Sequence, residues 1–180
     1  MPLPDDHEST VQAAAADGML IGHGYFYDQL KPGFRFQTMG RTITEADLVM
    51  FVNLIWFTEE VFVNVHDTAG RALSGRVVPG ALVYAFAEGL LTPSMQFTGL
   101  AFLNAELNVC SPTIVGDTIR VRGEVIESRP ASAGNRGLVR TRNEVVNQRG
   151  EVVLVYTPLR LVKGSPSAAA HPPSSPRQSR

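Results

Sequence analysis

Two adjacent carboxylates, Glu59 and Glu60, and a neighbouring His66 and Asp67 lie within the stretch WFTEEVFVNVHD, residues 56–67. Carboxyl and imidazole groups are the side chains best suited to moving protons near neutral pH, so the stretch is a candidate for general acid-base work. A carboxyl set beside Trp56, Phe57 and Phe62 would be desolvated, which raises its pKa toward a useful range. The plain alternative is a solvated turn, where adjacent glutamates are common. Neighbours in an extended segment point opposite ways, so at least one of the pair can still face a cleft. His66 beside Asp67 has its own ordinary reading, as a surface or structural residue.

Further along, Glu88 is the sole charge in PGALVYAFAEGLL, residues 79–91. Burying it without a partner would cost several kcal/mol or force protonation, so something must solvate it or use it. At the start of the same segment Pro79 has no N–H, which makes Gly80 and Ala81 the candidate donors to a developing oxyanion at a helix N-terminus. Glycine also lets a carbonyl approach closely. Pro-Gly is equally an ordinary turn. Tyr84, one turn on, can hydrogen-bond a substrate or sit in the core with its hydroxyl satisfied. Cys110 lacks a His/Asp setting and reads as a small packing residue.

These groups need a scaffold. The 180 residues are 44% hydrophobic, with a formal net charge of -1, which suits one soluble domain with a sizeable core. Near-neutral charge without a Lys/Arg run leaves no electrostatic footprint for nucleic acid. One cysteine excludes an internal disulfide, and four scattered histidines make a poor metal site; a reducing cytoplasm is the default expectation. The N-terminus, MPLPDDHEST, is acidic and proline-bearing, and no apolar run approaches the ~20 residues that span a bilayer. No secretion signal and no membrane partner are expected. Residues 1–22 and the Pro/Ser/Ala-rich 164–180 read as disordered, with a single domain at 23–163.

Within that domain, Thr44 and Asp47 have capping spacing before a dense apolar run, which predicts a helix from Thr44. Residues 81–91 are apolar around the whole circumference apart from Glu88, the pattern of a buried helix. Then FTGLAFLNAELNV alternates, placing Leu103, Ala105, Leu107 and Val109 on one face and Asn104, Glu106 and Asn108 on the other. TIRVRGEVIE, LVRTRNEVVN and EVVLVYTPLRLVK continue the pattern between turn-rich joints, an antiparallel meander. The packing solution is an α+β arrangement in which the sheet curls around the buried helix.

This order resembles the hot-dog fold, and more narrowly the MaoC-like dehydratases and (R)-specific enoyl-CoA hydratases. The resemblance is carried by YFYDQLKPGFRF at 25–36, GRTITEAD at 40–47, RVVPGALVYAFAEGL at 76–90 and FLNAELNVCSPTIVGDTIRVRGEV at 102–125. It implies an acyl thioester substrate, carried by coenzyme A or an acyl carrier protein, with no cofactor and no metal. The family motif Gly-Asp-x-Asn-Pro-x-His uses its Asp and His to activate one water against a double bond. Counting about eighteen residues forward from Thr44 or back from Gly80 reaches Phe62 as the His position. The Asp position is then Phe57 and the Asn position Glu59, so the usual dyad is replaced.

Phenylalanine cannot exchange a proton, and three readings follow. A rebuilt hydratase would use Glu59, Glu60 or His66, with Phe57 and Phe62 shaping the pocket. A hot-dog thioesterase would use Glu88. A non-catalytic subunit would bind the acyl group beside a catalytic partner. The resemblance also implies a homodimer or higher oligomer joined at an open sheet edge, or a hetero-oligomer. Arg129 and Arg136, in the loop at 128–137, are candidates for contacting coenzyme A phosphates or simply solvated.

Overall fold

The computed structural model describes residues 22–66 and 75–166. Residues 1–21, Asp67 and 167–180, with the disorder expected at the two ends, lie outside the described residues. A 3-10 turn, Tyr27–Gln29, precedes β1 (Arg35–Gln37), β2 (Arg41–Thr42), α1 (Glu45–Ile55), α2 (Glu60–Val63), β3 (Val77–Val78) and the central helix α3 (Gly80–Met95). The strands β4 (Gly99–Asn104), β5 (Leu107–Val109), β6 (Thr113–Ile114), β7 (Thr118–Pro130), β8 (Arg136–Val146), β9 (Val152–Tyr156) and β10 (Leu159–Lys163) follow.

The long β7–β8 hairpin is the spine of the sheet. One side of β7 pairs with β1 and β2; β8 pairs with β10 along its first half and with β9 along its second. Outermost, β4 pairs with β10 and β5 with β9, all antiparallel. The strand anticipated over 97–109 is therefore two pieces, β4 and β5, broken at Ala105 and Glu106, opposite the corresponding break between β9 and β10. A separate β3–β6 pair ties the entrance of α3 to the sheet's approach.

Alternation builds the core. On β7, Ile119, Val121 and Val125 are buried while Arg120 and Arg122 face out. Gly123 keeps the same inward phase for a steric reason: a Cβ there would sit 2.0 Å from Cζ of Phe36, its cross-strand partner. From the helix, Leu82, Val83, Ala87 and Leu91 press onto this surface. The expectation of a helix buried all round is corrected, because Ala81, Ala85 and Gly89 are exposed along one side. Small apolar side chains there conceal an open face from a periodicity reading. The helix also runs past Leu91, through Pro93 to Met95, where proline reads in sequence as a stop.

Local signals set α1. Thr44 accepts from the Asp47 amide at 3.2 Å while Asp47 accepts from the Thr44 amide at 2.8 Å, a reciprocal cap. Arg41 pairs with Asp47 at 3.1 Å and lays its guanidinium 3.6 Å over the Phe86 ring, fastening the start of α1 to α3. The far end is less comfortable. Trp56 closes α1 in the left-handed region at φ 59, a conformation that favours glycine, and its side chain is 84% exposed.

At the other terminus, Gly164 and Ser165 are buried, which corrects the expected start of the tail. The Gly164 amide donates to Asn135 O, the Ser165 amide donates to Asp28, and Asn135 donates to Ser165 O. The sequence signal failed there because backbone groups, and not apolar side chains, hold the segment.

Asp117 organises the turn between β6 and β7. It is 1% exposed and accepts from the Ile114 amide at 3.0 Å, Gln148 Nε2 at 2.7 Å and Arg149 Nη1 at 3.2 Å. Burial alone would raise its pKa, but the Ile114 and Gln148 hydrogen bonds and the Arg149 charge outweigh it and hold the carboxyl below its ordinary value. A depressed folded pKa adds stability that is fully present above the unfolded value, ~3.9, and is lost as pH falls through the folded one. Asp117→Asn is expected to lose about 2 kcal/mol at pH 7 and to flatten the fall in stability below pH ~4, as read from urea unfolding against pH. Trp56→Gly is expected to raise stability by roughly 0.5–1 kcal/mol, by releasing the left-handed residue from its Cβ clash. Thermal unfolding of the two proteins checks this.

Candidate functional site

A cleft opens at the N-terminus of α3. Phe62 forms one wall, Val77, Val78 and Pro79 lead into it, and Gly80 and Val83 supply the helix side. Val109, Thr113, Val153 and Leu154 close the sheet side. Val109 rests so closely on Gly80 that a Cβ there would meet its Cγ2 at 2.9 Å, so glycine keeps the first helical amide reachable. The Pro79 carbonyl accepts from Leu82 N at 2.9 Å and from Val83 N at 3.2 Å. As the first two amides of the helix, those of Gly80 and Ala81 have no intrahelical acceptor and lie at its positive end. The arrangement can receive an oxygen that carries or develops negative charge.

Phe57 and Phe62 come together, ring edge to ring face at 5.1 Å, and Phe62 carries the pair to the cleft. The bend that delivers them is the left-handed Trp56 between α1 and α2, followed by a Phe57 amide that still donates to Val52 O at 3.0 Å. Glu59 flanks the start of α2 and is exposed. Glu60, also exposed, accepts from the Asn64 side chain, and the His66 amide donates to Asn64 Oδ1 at 2.9 Å. Among the described residues that line the cleft there is no carboxylate and no imidazole.

Glu88 lies two turns beyond Gly80, outside the cleft, and has a partner. Arg160 Nη2 donates to both its carboxylate oxygens, at 2.5 and 2.7 Å, with the guanidinium side chain only 10% exposed. Between the cleft and this pair stand Tyr84 and Tyr156, perpendicular rings 5.1 Å apart. Burial raises the Tyr84 phenol, and the Glu88 charge adds to that against the opposing effect of Arg160. Burial pushes the Tyr156 phenol much further up, again reinforced by Glu88. The Tyr156 hydroxyl comes near Glu88 and Asn143 but meets neither in hydrogen-bonding geometry, and both polar atoms of the Asn143 side chain are likewise orphaned.

Sequence reasoning singled out Glu88 but missed Arg160, Tyr156 and Asn143. The signal was in the strand phase. Along β8, Val139, Thr141, Asn143 and Val145 share the inward face, and on β10 Arg160 is in phase with Val162. Polar residues in an apolar phase, opposite a helix with one carboxylate, identify a part-buried pair. Arg129 and Arg136 are engaged locally, with Glu127 at 2.8 Å and with Ala133 O at 2.7 Å. Cys110 is exposed at the cleft margin. Among the described residues no three His, Cys, Asp or Glu gather as a metal site, and no helix is long and apolar enough to cross a membrane.

No protein-family model matches the chain. It is 34% identical over 158 residues to the mesaconyl-CoA hydratase of Cereibacter sphaeroides, covering 86% of this chain but 46% of that protein. It is 24% identical over 105 residues to the (R)-specific enoyl-CoA hydratase of Rhodospirillum rubrum, covering 58% of this chain and 70% of the relative. The chain thus spans about half the length of the first relative. The crystal structure of the MaoC-like dehydratase from Rhodospirillum rubrum superposes with a TM-score of 0.71 at 24% identity, over 79% of this chain and 99% of that one. With its antiparallel sheet packed against a central helix, the chain has the hot-dog fold, and it is similar to a MaoC-like dehydratase and to (R)-specific enoyl-CoA and mesaconyl-CoA hydratases.

Proposed function

We propose that the chain binds an acyl thioester, with the carbonyl oxygen at the Gly80 and Ala81 amides, and works as a hydratase or dehydratase with an altered acid-base set. The cleft carries this reading. Its wall is apolar, and its one concentration of positive potential is the start of α3, where a thioester oxygen gains charge as the double bond is attacked. Hydration adds hydroxide to the β-carbon and a proton to the α-carbon, so the reaction needs one group to take a proton from water and a route to return one.

Two features support the register that sets Phe57 and Phe62 at the usual acid-base positions. Trp56 occupies a left-handed conformation at the place where the family motif has glycine, and Phe62 reaches the cleft beside Gly80. Glu59 is the first choice for the replacement, because it lies between the two phenylalanines in sequence and, in the exposed segment that starts α2, has no capping bond to break. Glu60 is second, being tied to Asn64, and His66 third. Glu88 as a thioesterase carboxylate is disfavoured by its twofold contact with Arg160.

A second reading is favoured by the edge of the sheet. β4 and β5 are exposed along their whole length and present Leu100, Phe102, Leu103, Leu107 and Val109. Such an edge is a template for another strand. A second copy would cover it in a homodimer. A related subunit bearing its own acid-base pair would cover it in a hetero-oligomer, with this chain as the binding half.

Incubated with a panel of enoyl-CoA thioesters, the protein is expected to catalyse water addition without releasing free thiol. Glu59→Gln should lower turnover roughly 100-fold or more while melting like the parent; full activity in that variant would move the role to Glu60, His66 or a partner subunit. Light scattering at micromolar concentration should give at least a dimer, and Phe102→Lys with Leu107→Lys should return it to a monomer. A monomeric parent would remove the edge pairing from the account.

A further inference from the structure

The seam between α3 and the β9–β10 strands has a cleft at one end and a cavity at the other, with two side-chain contacts between. At the first end are Gly80 and Val83 facing Leu154. Next come the Tyr84 and Tyr156 rings, then the Glu88–Arg160 pair. Beyond them lies a second, small pocket, where Leu91 and Met95 face Val139, Thr141 and Val162, with Arg160 on its rim. Thr141 Oγ1 is buried there without a partner. This pocket separates the main core from a small second cluster of Val125, Val139 and Val162.

We propose that the Tyr84–Tyr156 contact and the Glu88–Arg160 pair form a partition that ends the acyl pocket and limits the substrate to short acyl groups. The inference rests on the reading that a thioester carbonyl lies at Gly80. From Gly80 to Tyr84 is four residues of helix, an axial distance of ~6 Å, roughly the reach of a four- or five-carbon acyl group. A longer chain directed inward along the seam meets the edge-to-face rings first. To go further it must displace a half-buried carboxylate from a guanidinium that is nearly enclosed, and leave that cation unpaired beside methylene groups. The barrier is therefore electrostatic as well as steric. Without that barrier a longer tail would follow the apolar seam, where every buried methylene added to an acyl chain should tighten binding.

Affinity of the full-length protein for butyryl-, hexanoyl-, octanoyl- and dodecanoyl-CoA, measured by titration calorimetry, tests this without requiring turnover. For the parent, binding is expected to stop tightening beyond hexanoyl-CoA and to weaken at least 10-fold by dodecanoyl-CoA. The double substitution Glu88→Ala with Arg160→Val removes both charges together and opens the seam, and should tighten octanoyl-CoA at least 10-fold while butyryl-CoA changes little. Tyr84→Ala alone should shift the length at which tightening stops upward. A parent that binds dodecanoyl-CoA more tightly than butyryl-CoA overturns the partition whatever the variants do. So does a folded double variant with the parent's length profile. If no thioester of any length binds the parent, the reading of the cleft falls and the partition with it; binding that ignores length sinks the partition alone.

Discussion

A carboxylate carried on the face of a helix that packs against a sheet must find a cation there or give up its charge, and Arg160 is the group that meets Glu88. The central helix, otherwise apolar from Gly80 to Leu91, can approach the β9–β10 strands only with that neutralisation in place. Apolar side chains of similar volume would serve packing as well or better, so the pair is not explained by stability. Its position explains more. It separates the open end of the seam from a second, small pocket, and the neighbouring Tyr156 and Asn143 keep polar atoms inside the fold that no protein group satisfies.

Around this axis the remaining elements act as positioning devices. Arg41 stacks on Phe86 and pairs with Asp47, which is itself half of the reciprocal cap on α1. That fixes the start of α1, and the left-handed Trp56 fixes its end, turning Phe57 and Phe62 toward Gly80. On the opposite side, Asp117 binds the turn before β7 to Gln148 and Arg149 after β8. The β3–β6 pair and Val109 then close over the start of α3. The geometry at Gly80 is thus supported from both ends of the chain.

The elements and their order were legible because periodicity and caps are local: Thr44 and Asp47 announce α1, and alternation announces β7, β8 and β9. The break between β4 and β5, the extension of α3 through Pro93 and the docking of Gly164 and Ser165 were not, since each depends on cross-strand register or backbone hydrogen bonds. The candidate site was half legible. Gly80 and Ala81 followed from helix-start chemistry, Phe62 from the family resemblance alone, and Glu88 was conspicuous as a lone charge. Its partner lay 72 residues away and could be found only by asking which inward strand position carries a cation. Glu59, Glu60 and His66 stood out by residue type alone, and type does not determine whether a side chain on a one-turn helix faces a cleft or solvent.

The most direct test of a thioester carbonyl at the first amides of α3 is to titrate the ¹⁵N-labelled protein with butyryl-CoA, whose saturated acyl group cannot be hydrated, and follow the backbone amide resonances. The account predicts that Gly80 and Ala81 show the largest downfield proton shifts as their N–H groups take up the carbonyl oxygen, with smaller changes at Phe62, Val83 and Val109. Saturable binding that leaves the Gly80 and Ala81 resonances unmoved would contradict it.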